Sequence, residues 1–203
     1  MAGLSFIDWG IWLVYLVLIG LILFFYRLSK EQSYYKYFLG GFAVKVLGGL
    51  AFVMIYIYYY GFGDTFLYYE GANVMADLAI EQPGTYFDLL FSGSQNLDGE
   101  LAGYASKIAF SRTYEEWFMV KLLSPLALIS FKSYLVLTMF LSFISFWGSW
   151  KLFKVFVDIL PKQKALSFVA AFLIPSVVFW GGGVLKDNIT LACINYIIYL
   201  TYF

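Results

Sequence analysis

Hydrophobic residues in this chain come in long runs separated by short polar stretches. The runs cover residues 9–26, 38–60, 165–185 and 189–203, with a composite stretch at 117–157. Crossing a bilayer as a helix takes about 20 mostly apolar residues. The pattern therefore predicts an all-α, polytopic helical membrane protein with about five to six transmembrane helices. The composite stretch leaves its count open. Residues 117–131 are short for a span and are interrupted by Lys121 and Pro125, and 134–150 form a second run. Two crossings there put Lys151, Lys154, Lys162 and Lys164 on the same side as the large loop. One crossing, the preferred reading, puts them opposite it, with Arg27, Lys30 and Lys36.

A large loop, residues 61–116, separates the second run from the composite one. Within it, Thr65–Gln82 has the spacing of a helix lying on the membrane, with Phe66, Tyr69, Asn73 and Ala76 along one side. Pro83-Gly84 ends that helix, because proline cannot extend the hydrogen-bond ladder. Tyr86–Phe91 is a second short apolar piece, and Ser92–Gly103 reads as exposed loop.

Charge orients the elements. The loop carries Asp64, Glu70, Asp77, Glu81, Asp88, Asp98, Glu100, Glu115 and Glu116 against only Lys107 and Arg112. Short cytoplasmic loops are enriched in Lys and Arg. The rule places residues 27–37 in the cytoplasm, and the N-terminus and the large loop outside. The run from Trp9 has no positive flank before it and no small-residue cleavage site, so it reads as a span and not as a cleaved signal. The chain stops at Tyr202-Phe203 inside an apolar run, which reads as a single membrane domain over 1–203, truncated at its C-terminus.

Composition narrows the chemistry. The 203 residues are 62% hydrophobic and 13% charged, against roughly 25% charged in soluble domains. Formal net charge is zero, so no nucleic-acid partner is indicated. There are no histidines, which removes histidine-based proton relays, His-ligated metals and Ser–His hydrolysis. The single cysteine, Cys193, lies in an apolar run and reads as a small packing residue.

Two places combine polar groups with a break in an apolar run. At the first, Gly61-Phe62-Gly63 closes the second run and presents Asp64 at the membrane boundary. A carboxylate there is a candidate general base, and equally an N-cap for the helix starting at Thr65. At the second, Pro175 and the glycines Gly181–Gly183 interrupt a span just before Lys186, Asp187 and Asn188. Broken backbone at membrane depth is tolerated only where protein or water satisfies it. Lys186 then reads either as a phosphate ligand at a cavity edge or as a side chain snorkelling to the headgroups. Lys45, inside the second run, is expected to snorkel to the cytoplasmic interface, and Glu115-Glu116 to start a solvated helix. A divalent cation is a candidate cofactor through Asp64, Glu70 and Asp77, although their spacing matches no known cage and no metal ligand is assigned.

The stretch Gly63-Asp64-Thr65-Phe66-Leu67-Tyr68-Tyr69-Glu70-Gly71-Ala72 resembles the first extracytoplasmic loop of the GT-C membrane glycosyltransferases that use polyprenyl-phosphate sugars. Pro175 to Asp187 is similar to a later segment of bacterial members, where a proline-containing span ends in small residues and a charged pair. The resemblance implies transfer of a sugar from a lipid-phosphate donor to an acceptor outside a bacterial cytoplasmic (inner) membrane. It implies Asp64 as the catalytic base. Lys186, with Arg112 or Lys121, would hold the donor phosphate, Tyr68, Tyr69 and Trp180 would stack on sugar or prenyl carbons, and Asp187 and Glu70 would bind substrate. The partners are then membrane lipid and the lipid-linked sugar. Two other classes stand beside this one. The first is a non-catalytic membrane subunit or assembly factor that binds other membrane proteins through its acidic, aromatic-rich loop. The second, less favoured, is a transporter.

Overall fold

The structure, a computed structural model, describes residues 3–93, 97, 99–111 and 113–203. Every regular element among them is helical. Three helices are long and apolar enough to cross a membrane, and a fourth crossing follows if one bent pair is counted as a single span.

The first helix, α1 (Phe6–Leu28), starts at a capping box. The Ser5 hydroxyl accepts from the Asp8 N–H at 3.1 Å, and the Asp8 carboxylate accepts from the Ser5 N–H at 2.9 Å. The second, α2 (Phe38–Ile55), is entered through a 3-10 turn at Ser33–Tyr37 and left through a π turn at Tyr56–Tyr60. The long helix of the composite stretch is α7 (Tyr134–Ile159), and it is the axis of the molecule. Aromatic pairs set the directions around it. Tyr15 meets Phe140 and Tyr26 meets Trp147, so α1 runs parallel to α7. Phe38 meets Trp150 and Phe42 meets Phe143, so α2 runs antiparallel to it. These rings, with Phe146, Phe153 and Phe172, form one apolar core.

The loop residues fold into a second, helical layer. It contains α3 (Asp64–Glu81), α4 (Pro83–Phe91), α5 (Gly99–Ala105) and α6 (Tyr114–Ile129). Pro83 ends α3 and at once starts α4, where its missing N–H costs nothing. Residues 99–105, expected as open loop, form the short α5. The layer has its own core of Phe66, Ala72, Met75, Trp117, Val120 and Leu123. Helix α6 packs along α3, with Gly71 pressed against Val120, and does not lengthen into a span. Within 117–157, only α7 is long enough to cross. A turn through Phe131 (φ 53°) and Lys132 (φ 57°) joins α6 to α7. The Lys132 ammonium pairs with Asp77 of α3, and the Tyr69 hydroxyl donates to the Lys132 carbonyl at 2.5 Å.

The last forty residues form a hairpin inside the bundle. Helix α8 (Lys164–Phe172) starts beside the α1–α2 connection, where the Lys164 ammonium donates to the Ser33 hydroxyl at 2.6 Å. The chain bends by 59°, continues as α9 (Pro175–Phe179) and a 3-10 turn at Trp180–Gly182, and so rises along α2. It stops where Gly182 meets Gly49, next to Ser142. Ser142 lies roughly 12 Å along α7 from Tyr134, at 1.5 Å per residue. Helix α10 (Lys186–Tyr202) then turns back, parallel to α7. Gly148 packs on the Ala192 backbone, and the Tyr202 hydroxyl reaches the Asp158 carboxylate at 2.9 Å. The two runs expected as separate spans, 165–185 and 189–203, are thus the two arms of this hairpin. The basic groups Lys30, Lys151, Lys154 and Lys164 lie at one end of the bundle, and the acidic helical layer lies at the other.

Glycine is required where the hairpin tip touches α2. A Cβ on Gly182 would stand 2.5 Å from the Gly49 nitrogen and 2.7 Å from its Cα. Both neighbours are backbone, so neither can rotate away. Gly182→Ala should therefore destabilise the protein by about 1–3 kcal/mol, the usual cost of overpacking. Gly84→Ala is the control: a Cβ there meets nothing within 4 Å, and alanine gains up to about 1 kcal/mol in a helix. Thermal unfolding in detergent should show a lower midpoint for the first variant and an equal or higher one for the second.

Candidate functional site

The link from α2 to α3 sets the position of Asp64. Gly61 (φ +69°) and Gly63 (φ +139°) adopt backbone conformations open mainly to glycine, and a Cβ on Gly63 would sit 2.9 Å from the Tyr56 ring. Gly63 occupies the N-cap position, and Asp64 is the first helical residue. No side-chain capping bond is made there, so the capping role expected of Asp64 is replaced by charge complementarity with the helix dipole. The carboxylate is exposed and shares a cavity of about 380 Å³ with Glu70, Phe66 and Leu67.

Tyr68 is the centre of the charge arrangement. It is 2% exposed and its ring packs on Phe110 at 4.7 Å. Burial, together with the negative fields of Glu116, Asp64, Asp187 and Glu115, pushes its hydroxyl up to about 12. Tyr68 therefore lies in the combined field of acids from α3, α6 and α10, with burial as the larger effect. Glu115 and Glu116 form the helix start expected of them, in the first turn of α6 behind the Thr113 N-cap, and their field also reaches Tyr68. Nothing in their sequence context marks this reach, because the approach of α6 to the hairpin tip is a tertiary fact.

The hairpin tip supplies the remaining candidates. Lys186 and Asp187 are exposed in the first turn of α10. Asp187 lines a cavity of about 470 Å³ with Trp180, Val177 and Ser176. Lys186 lines one of about 410 Å³ with Glu115, Tyr114 and Phe118. The break is held from inside. Asn188 is buried and its Nδ2 donates to the Gly183 carbonyl at 3.0 Å. Lys45 does not snorkel to the interface: it is 0% exposed, and its ammonium donates to the Val177 carbonyl at 3.1 Å. Carbonyls at the end of a broken helix are unpaired and carry partial negative charge, which a buried cation offsets. The clue in the sequence is that Lys45 lies between two glycine pairs, Gly40-Gly41 and Gly48-Gly49, that admit a close neighbour.

Two predicted ligands lie elsewhere. The Lys121 ammonium donates to the Ser92 carbonyl at 2.8 Å and lies over the Trp117 ring, and burial holds its pKa below the ordinary lysine value. Tyr69 is committed to the α6–α7 turn through Lys132 and the Tyr134 ring, 5.2 Å away. Arg112 lies outside the described residues. Among those described, no three His, Cys, Asp or Glu converge where a metal ion could be held, so Asp64 and Glu70 would need substrate oxygens to complete a cation's shell.

The two adjacent tyrosines should separate by role. Tyr69→Phe loses a scaffold hydrogen bond and should lower stability by about 1 kcal/mol, read from thermal unfolding, with function retained. Tyr68→Phe removes the phenol facing the acids and should lower function with less effect on the unfolding midpoint. The opposite assignment of the two effects would place the site around the wrong ring. Compared with models of known protein families, with characterised proteins and with solved structures, the chain matches none.

Proposed function

We propose that the protein transfers a sugar from a polyprenyl-phosphate donor to an acceptor hydroxyl on the extracytoplasmic side of the membrane, as a GT-C-like enzyme. The observation that carries this reading is the set of cavities at the hairpin tip and on the layer: Lys186 shares one with Glu115, Asp187 shares another with Trp180, and Asp64 and Glu70 line a third at the start of α3. A polar cluster beside a tip within the apolar bundle suits a substrate with a charged head and a hydrocarbon tail.

In this reading Asp64 takes the proton from the acceptor hydroxyl. The freed oxygen forms a bond to the anomeric carbon. The bond from that carbon to the donor phosphate oxygen breaks, and the phosphate leaves with the electron pair. Lys186 offsets the phosphate charge as a compact point cation. Trp180, 46% exposed, offers a face for sugar or prenyl carbons. Asp187 and Glu70 accept hydrogen bonds from sugar hydroxyls. The basic end then faces the cytoplasm and the helical layer faces outward, in a bacterial inner membrane. The finer expectation of five to six crossings stands within this proposal at its lower bound, with α10 counted beside α1, α2, α7 and the bent α8–α9 pair. A second reading, a membrane subunit that binds a partner through its outer layer, is favoured by the exposed rings of Phe62 and Phe91 on that layer.

Orientation is tested first. In a variant whose native Cys193 is replaced by serine, cysteines at Asp88 and at Ser29 should label with an impermeant reagent from outside and only after permeabilisation, respectively. Catalysis is tested by Asp64→Asn. The substitution removes a favourable charge at a helix start, a loss of about 0.3–1 kcal/mol, and leaves no base. Expression and unfolding midpoint should persist, while transfer of labelled sugar from a polyprenyl-phosphate donor disappears. Full transfer by Asp64→Asn would end the catalytic assignment. Loss of partner co-purification alone would favour the subunit.

A further inference from the structure

The face formed by α7 and α10 is not used by the proposed reaction. Between the two helices runs a groove of about 460 Å³, lined by Phe143, Trp147, Gly148, Cys193, Tyr196 and Ile197 and almost wholly apolar. A Cβ on Gly148 would fall 2.6 Å from the Ala192 Cα, so the helices touch at this point. The groove lies at the middle of α7, within the hydrocarbon depth of a span.

One turn further along α7 the chemistry changes. The Lys151 ammonium stands 5.0 Å over the Tyr196 ring and 4.2 Å over the Tyr199 ring, and the Lys154 ammonium stands 4.9 Å over Tyr199. Tyr196 is thus both a wall of the groove and the seat of the first cation. Among the described residues neither lysine is in an ion pair. Asp158, one turn beyond Lys154 on α7, accepts a hydrogen bond from the Tyr202 hydroxyl. An apolar trough that ends under two unpaired ammonium groups, at the basic end of a membrane bundle, is complementary to one ligand class. We infer that this face binds an anionic phospholipid of the basic-side leaflet, with an acyl chain in the groove and the phosphodiester between Lys151 and Lys154. Basic pockets between membrane helices recognise anionic headgroups in this manner, each lysine adding electrostatic attraction near the surface. The tyrosine rings fix the two ammonium groups by cation–π contact and so spare the lipid the cost of ordering them.

The site is separate from Asp64 and Lys186, so it stands or falls independently of the sugar-transfer reading. The test uses the full chain, purified in zwitterionic detergent and exposed to phosphatidylglycerol or phosphatidylcholine, with retained lipid read by native mass spectrometry. Phosphatidylglycerol should be retained in preference to phosphatidylcholine. The double variant Lys151→Gln/Lys154→Gln should reduce that preference about thirtyfold, the contribution of two near-surface lysines. Lys36→Gln, at the same end but away from the groove, should leave it unchanged. Cys193→Trp fills the trough from an exposed position and should lower retention of both lipids. An undiminished preference in the double variant would overturn the inference. So would a Cys193→Trp protein that keeps its lipid but changes from dimer to monomer, since the groove would then be an interface between copies.

Discussion

The fold depends on a contact between two backbones. Gly182, at the tip of the hairpin, lies against Gly48 and Gly49 of α2 with no side chain between them. Backbone that leaves helical geometry at membrane depth must find partners in protein, since lipid offers none. Here the partners are Lys45 for the Val177 carbonyl, Ser142 for the Gly182 carbonyl and Asn188 for the Gly183 carbonyl. Each comes from a different helix. The hairpin is therefore an insert whose loose ends are tied by α2, α7 and α10 together, and the position of Lys186 and Asp187 follows from those ties.

The helical layer follows a different logic. None of its described helices is long and apolar enough to cross a membrane, and it buries its own core between α3 and α6. Its attachment to the bundle is polar and aromatic: the Thr65 and Tyr134 hydroxyls meet at 2.7 Å, and Phe66 and Tyr69 both pack on the Tyr134 ring. The acids left on its outer turns are brought towards the hairpin tip by this docking. The candidate site is a product of two separately stabilised units meeting.

Much of this was legible in the residues. The lengths of the apolar runs mark α1 and α2, and the run from Tyr134 marks α7, because hydrocarbon thickness sets a minimum helix length. Pro83 and the Pro175–Gly183 stretch mark breaks because proline and glycine have restricted or unusual backbone preferences. Other features had no one-dimensional signal. A 17-residue apolar helix such as α10 looks the same whether it completes a crossing or turns back. Lys45 reads as a snorkelling lysine until a broken helix is placed against it. Asp64 moved from cap to first helical residue because Gly63 took the cap, a one-residue shift of the kind helix ends commonly show. The approach of Glu115 to Lys186, which line one cavity, joins α6 to the hairpin tip across some seventy residues of chain and is set by packing alone.

The two connections between layer and bundle differ in stiffness. At the α6–α7 turn, Phe131 and Lys132 hold left-handed conformations that cost an ordinary residue roughly 1–2 kcal/mol each. The side chain of Lys132 gives a reason why it is not glycine, since it pairs with Asp77, while Phe131 is largely exposed and borders a cavity with Gly10, Val14 and Leu18 of α1. At the other connection, Gly61-Phe62-Gly63, the backbone crosses with two glycines and Phe62 is 76% exposed. One joint is riveted and the other is supple. Any tilt of the layer against the bundle is resisted at the rivet and admitted at the glycines, so the crevice beside Asp64 and Glu70 is the first to widen or close.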